Sequence, residues 1–190
     1  AGICPVFYGG VTNCVNRGNV KISGTCVTAY LSGLIAYVNN ADTVKEYKWT
    51  DCANYGKISY ETATIKNQMH LGGLGAKIVN VGIDDCHNYG ELYASTDSSF
   101  RFINCGGIAA YLEAQTADEV LHMKDCTNNA PINFWASTPA TATSTYDGYY
   151  YRIGGLTGYN NARVDKCTNN EEGDILIKGS ITQLYFDTGD

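Results

Sequence analysis

The sequence predicts an all-β fold, a right-handed parallel β-helix or β-solenoid of about five coils with projecting loops or hairpins. Three observations carry this. A Cys-x-Asn submotif recurs five times, in "VTNCVNRGNV" (11–20), "WTDCANYGKI" (49–58), "IDDCHNYGEL" (83–92), "MKDCTNNAPI" (123–132) and "VDKCTNNEEGDI" (164–175). A Gly-Gly-apolar submotif precedes each copy, as "AGICPV" (1–6), "SGLIAY" (32–37), "GGLGAK" (72–77), "GGIAAY" (106–111) and "GGLTGY" (154–159). The composition suits strands and tight turns, with 15 Tyr and 21 Gly against 3 Pro, and 17% charged residues. Registered motifs joined by connections of unequal length are the sequence signature of stacked units that share a core and vary their outward loops.

Taken in order, the units run over residues 1–31, 32–71, 72–105, 106–153 and 154–190. Together they form a single solenoid domain, expected to be a fragment of a longer chain. Short apolar/polar alternations such as "NVKISG" and "KISYETATI" predict strands. The stretches "YVNNADTVKEYK" (37–48) and "YLEAQTADEVLH" (111–122) lengthen the second and fourth units, and each predicts a projecting hairpin or loop. Within the first of them, "NADTVKEYKW" is the best helical pattern in the chain. The segment "ASTPATATSTYDGYYY" (136–151) reads as a Ser/Thr/Ala-rich loop. The tail "GSITQLYFDTGD" carries no further Gly-Gly-Leu and reads as a cap or a link to another domain.

Residues two apart in a strand share a face, so Cys52, Asn54, Gly56 and Ile58 fall on one inward track. Trp49 lies three before Cys52, which requires a bend or bulge between them if both point inward. Stacking of equivalent residues at about 4.8 Å would turn Cys14, Cys52, Cys86, Cys126 and Cys167 into a ladder of small apolar groups. Asn16, Asn54, Asn88, Asn128 and Asn169 would form a second ladder, hydrogen-bonding each other and the turn backbone. The Gly two after the Asn would supply a positive φ at the bend. Ile3, Leu34, Leu74, Ile108 and Leu156 would follow the Gly-Gly turn into the core.

The repeat unit, clearest in "GGLTGYNNARVDKCTNNEEGDI" (154–175), resembles the GLUG-type repeat of bacterial surface proteins. The resemblance extends over all five units. It implies a parallel β-solenoid and an extracellular address, on a bacterial cell surface or secreted. It carries no catalytic residues.

Several chemistries are disfavoured by spacing. Zinc needs close Cys/His spacing, and His70, His87 and His122 form no such motif. The carboxylates of "GIDDC", "DGYY" and "EEGD" lack calcium-loop spacing, so no metal and no cofactor is expected. Stacked cysteines have parallel Cβ vectors, which suit a disulfide poorly. A bond among Cys4, Cys26 and Cys105 stays open. A catalytic thiol would need a base and an electropositive setting, and no catalytic residue is assigned. Asp51, Asp85 and Asp125 recur at one repeat position, which points to structure rather than to a glycosidase pair, while Asp84 breaks the repeat without a partner. Trp135, Tyr146, Tyr149, Tyr150 and Tyr151 cluster near the longest connection and are the candidate ligand contacts, against a reading in which alternate tyrosines merely cover the solenoid.

The net charge of −6, with no basic run, argues against nucleic acid. No segment has the roughly 20 apolar residues of a membrane span. The start "AGICPVFYGG" does not read as a signal peptide. The expectation is a non-catalytic structural or adhesion repeat region whose partners are a host or matrix glycan or protein. Self-association through the solenoid ends is a further partner expectation. The alternative is a carbohydrate-binding or polysaccharide-cleaving β-helix.

Overall fold

A computed structural model of the chain describes residues 1–41, 45–61, 65–96, 102–114, 122–136 and 150–179. These form strands and turns with no helix, in five parallel sheets stacked as a β-solenoid of about five coils. Each coil contributes one strand to each of the first four sheets in a fixed order, and the fifth sheet has four strands among the described residues.

The first sheet follows the Gly-Gly turn and contains Cys4–Val6, Ile35–Asn39, Gly75–Val79, Ala109–Glu113 and Thr157–Asn161. The second runs into the motif cysteine, with Val11–Thr12, Tyr47–Thr50, Val81–Asp84, His122–Lys124 and Arg163–Asp165. The third is short and holds the motif asparagine, in Val15–Asn16, Ala53–Asn54, His87–Asn88, Thr127–Asn128 and Thr168–Asn169. The fourth comprises Val20–Ile22, Ile58–Tyr60, Leu92–Thr96, Ile132–Ala136 and Ile175–Gly179. The fifth returns to the next turn through Cys26–Ser32, Ile65–Gly72, Phe102–Gly106 and Tyr150–Gly154. Of the helical pattern over 40–49, the last three residues belong instead to the strand Tyr47–Thr50, paired with Val81–Asp84. Within the two lengthened units, residues 42–44 and 115–121 lie outside the described residues, as do 137–149 and the tail 180–190.

The bend between the second and third sheets explains the residue before each cysteine. Asn13, Asp51, Asp85, Asp125 and Lys166 all have positive φ, between 49° and 55°. Asn and Asp tolerate this left-handed conformation best among non-glycine residues, because their short polar side chains bond locally. The same bend lets Trp49 and Cys52 both be fully buried although they lie three apart. The expected positive φ at the glycine two after the Asn is not found; Gly24 is the positive-φ glycine among the described residues. Those glycines answer to space instead. A Cβ on Gly56 would lie 2.0 Å from Gly18 O, and one on Gly90 would lie 2.0 Å from Gly56 O.

The interior divides into two cores. One is built by the fourth and fifth sheets around Ile58, Tyr60, Met69, Leu92, Ile103 and Phe134. The other is built by the first and second sheets and the cysteine bend around Leu34, Trp49, Leu74, Ile78, Ile83 and Met123. Each Leu, Ile or Met so buried contributes on the order of 1.5–3 kcal/mol of transfer free energy. Between the cores the coil is pinched. The second Gly of each Gly-Gly turn lies against the asparagine of its own coil, so that a Cβ on Gly33, Gly73, Gly107 or Gly155 would fall 2.3–2.5 Å from the Cγ of Asn54, Asn88, Asn128 or Asn169. The two submotifs are thus the two sides of one waist. Leu34, Leu74 and Ile108 follow the turn into the core, while Leu156 is partly buried against it. Ile3 does not follow them: it is 48% exposed.

Candidate functional site

The most regularly repeated chemistry is internal to the stack. Asn16, Asn54, Asn88, Asn128 and Asn169 stand in register across the third sheet. Each Nδ2 donates to the Oδ1 of the next coil's asparagine, at 2.7, 2.9, 2.9 and 2.8 Å along the column. In the first four, the second Nδ2 proton goes to the carbonyl two residues on, for example Asn54 to Gly56 O at 2.9 Å, and Asn169 donates to Gly173 O at 2.9 Å. Gly56 N in turn donates to Asn54 Oδ1 at 3.3 Å, and Gly90 N to Asn88 Oδ1 at 3.2 Å. For Asn54 and Asn88 both donors and both acceptor positions are therefore occupied, which is why amides can be fully buried here without penalty.

The cysteines form the parallel column on the other side of the bend. Cys52, Cys86 and Cys126 are fully buried, while Cys14 and Cys167 at the two ends are partly covered. Each thiol donates to the carbonyl two residues before it, as in Cys52 to Thr50 O at 3.2 Å, Cys86 to Asp84 O at 3.2 Å and Cys126 to Lys124 O at 3.0 Å. The same carbonyls also accept a backbone N–H from the preceding coil, as Thr50 O from Asn13 N at 3.0 Å and Asp84 O from Asp51 N at 3.2 Å. Proton sharing with Cys86 and loss of water together hold the Cys52 thiol above its ordinary range. Burial alone pushes Cys105 up to about 12. All eight cysteines are free, Cys4, Cys26 and Cys105 included.

Outside the cores, the fifth and first sheets fold back on each other across the Gly-Gly turn. A Cβ on Gly158 would meet Cys105 N at 2.6 Å and Arg152 O at 2.8 Å. Their outer faces enclose an aromatic notch. Tyr30 stacks on His70 at 4.9 Å and meets Tyr37 edge-on at 5.8 Å. Tyr111 stacks on Tyr159 at 4.4 Å, with Lys77 over one ring and Arg152 over the other. Asn104 Nδ2 donates to His70 Nδ1 at 3.2 Å, which places the imidazole proton on Nε2. Burial, reinforced by the nearby Lys77 ammonium, lowers the His70 pKa to about 4. The notch is filled by its own side chains, since His70 and Asn104 are 5% and 6% exposed.

The opposite wall is more open. Among the described residues, large exposed hydrophobics belong mostly to the first and last coils. In the three middle coils they are Tyr55, Tyr89 and Trp135, all on the outer side of the third and fourth sheets. Tyr55 and Tyr89 stack at 4.8 Å, with Arg17 over the outer ring. Trp135 carries Lys178 over one face at 5.0 Å.

The aromatic cluster expected around the longest connection therefore separates. Trp135 is exposed on the fourth sheet. Tyr151 is 4% exposed in the core and meets Phe134 edge-on at 6.1 Å, so its ring is not offered to a ligand. Tyr150 opens the strand Tyr150–Gly154, while Tyr146 and Tyr149 lie outside the described residues. Sequence reasoning missed Tyr55 and Tyr89, although both follow a motif asparagine directly, a signal of outward direction. It also missed the His70 notch. Of the recurrent acids, Asp51, Asp85 and Asp125 occupy the left-handed bend, and Asp84 ends its strand. His87 points away from Cys86 and contacts Thr127 Oγ1 at 2.8 Å and Asp85 Oδ1 at 3.1 Å. Among the described residues no group of three or more His, Cys, Asp or Glu is placed to hold a metal ion.

These features define the class: a parallel β-solenoid repeat protein, held together by internal asparagine and cysteine columns. No family model, no curated protein and no solved structure matches the chain.

Proposed function

We propose that the chain is a non-catalytic structural and adhesion repeat region of a bacterial cell-surface or secreted protein, of the GLUG-type repeat it resembles. The observation that carries this reading is where the repeated residues go. The motif asparagines are consumed by the column and the turn, and the motif cysteines by the bend. What repeats is thus devoted to propagating coils, and what varies is the outer surface, which is how a spacer or display surface is built.

Partners on this reading are a host or matrix glycan or protein, met by the outer walls. A second reading, a carbohydrate-binding or polysaccharide-cleaving β-helix, is favoured by the exposed Tyr55, Tyr89 and Trp135 on one wall. Reducing-end release from a panel of plant, mucin-type and bacterial polysaccharides separates the catalytic case. The expected result is no release above blank. Turnover that disappears on replacing a surface carboxylate would overturn the non-catalytic reading.

A further inference from the structure

The fourth sheet places three side chains on its outer face in successive coils. Ser95 and Trp135 are register partners. Glu61 directly follows Tyr60, which is aligned with Ala94, so Glu61 stands one coil before Ser95. Trp135 is 44% exposed. Lys178, its register partner in the following coil, lies over the ring at 5.0 Å. A cation over one face leaves the other face of the ring directed away from Lys178, and Ser95 is the register partner on the preceding coil. A serine is too small to fill the space that a larger side chain would take there. The gap from the Trp135 coil to the Glu61 coil is two strand spacings, about 9.6 Å. At the far side the Glu61 carboxylate is paired with Lys21, and that hydrogen bond holds its pKa below the ordinary range, so it stands as an ionised acceptor.

We propose that Trp135, Ser95 and Glu61 form a subsite for one pyranose unit of a neutral glycan. The ring's axial C–H face stacks on the open face of Trp135, over the Ser95 floor. Its hydroxyls donate to the Glu61 carboxylate. A flat apolar face on one side and hydroxyl donors on the other is the amphipathic pattern of a sugar ring. An aromatic wall and an ionised acceptor on one outer face, separated by a small floor, are complementary to it. The chain's net charge of −6 disfavours an acidic glycan at long range. The neighbouring Tyr55 does not supply such a face, because Tyr89 covers one side of its ring and Arg17 lies over it as well.

This inference names a ligand class for the display surface proposed above, and so rests on that reading. The experiment keeps the two apart. The purified chain is applied to a printed array of neutral and acidic glycans, and any neutral glycan retained is titrated by calorimetry. The expected result is retention of neutral glycans, at least tenfold weaker binding in both Trp135→Ala and Ser95→Leu, a smaller loss in Glu61→Gln, and unchanged binding in Tyr55→Ala. Both key positions point outward, and unchanged far-UV circular dichroism verifies folding. The inference is overturned if no neutral glycan is retained, or if binding survives either Trp135→Ala or Ser95→Leu. Neither outcome touches the non-catalytic scaffold reading, which is judged by the turnover assay.

Discussion

At the level of single residues, the asparagine column sets a sharp contrast between identical side chains. Asn88 bonds both neighbours in the column and both polar groups of its own turn. Replacing it by Ala orphans buried partners on Asn54, Asn128 and Gly90, and is expected to cost about 2–4 kcal/mol in urea unfolding. Asn169 is exposed at the end of the column, and Asn169→Ala is expected to cost about 1 kcal/mol or less. Equal costs would show that the column does not carry the stability. His70 gives a pH prediction. Its pKa is lowered to about 4 in the fold, by burial and then by Lys77, so the neutral form is the one the fold accepts. Its contribution is complete above the unfolded value of about 6.5 and is lost as pH falls toward 4. The loss is on the order of 3 kcal/mol over that window, and His70→Gln should remove this part of the acid sensitivity while leaving the carboxylate part. A His70 ring resonance titrating near its unfolded value would contradict the burial argument.

At the level of the element, the turns are decided by space between coils rather than by the torsions of one coil. Gly90 and Gly18 occupy the same repeat position and have the same torsional freedom. A Cβ on Gly90 would lie 2.0 Å from the Gly56 carbonyl oxygen, whereas on Gly18 the nearest atom is Asn16 Oδ1 at 3.7 Å. Gly90→Ala should therefore destabilise by about 1–3 kcal/mol, and Gly18→Ala should be near neutral, in parallel denaturation curves. Ala130 stands at this position in the fourth coil, buried, and the geometry does not explain why the third coil should differ in sequence from it. The left-handed bend gives the complementary test. Asp85→Gly keeps φ at 50° without strain, whereas Asp85→Val is expected to cost about 1–2 kcal/mol at the same site.

At the level of the whole molecule, stability is a sum of coils and their interfaces, because each strand pairs only with its neighbours above and below. Leu71 and Cys105 are register partners, as are Gly72 and Gly106. Deleting residues 72–105 joins Leu71 to Gly106 and removes one coil in phase. The shortened chain is expected to fold, with the same circular dichroism per residue and a lower urea midpoint. Deleting residues 72–104 instead shifts the chain by one residue, turning each following side chain to the other face until a bend absorbs it, and should abolish cooperative unfolding. If both deletions behaved alike, the register would not be what holds the coils.

The periodic part of the structure was legible because it is periodic. Cys, Asn and Gly at matched spacing define the coils, and an in-register stack follows from hydrogen bonding alone. The parity of a short strand was harder: "YYYRIGG" permits two inward sets, and only the packing of Tyr151 on Phe134 settles which ring turns in. Trp135 could be singled out from its type, but not its open face, which depends on Lys178 in one neighbouring coil and Ser95 in the other. The sequence by itself determined that this protein is a stack of like coils with its cysteines and asparagines in columns. The tertiary structure alone decided that the coil closes through five sheets, that Gly-Gly meets Asn at a waist between two cores, and which walls are left open. Those contacts join residues some half a coil apart along the chain, and no local spacing encodes the distance between them.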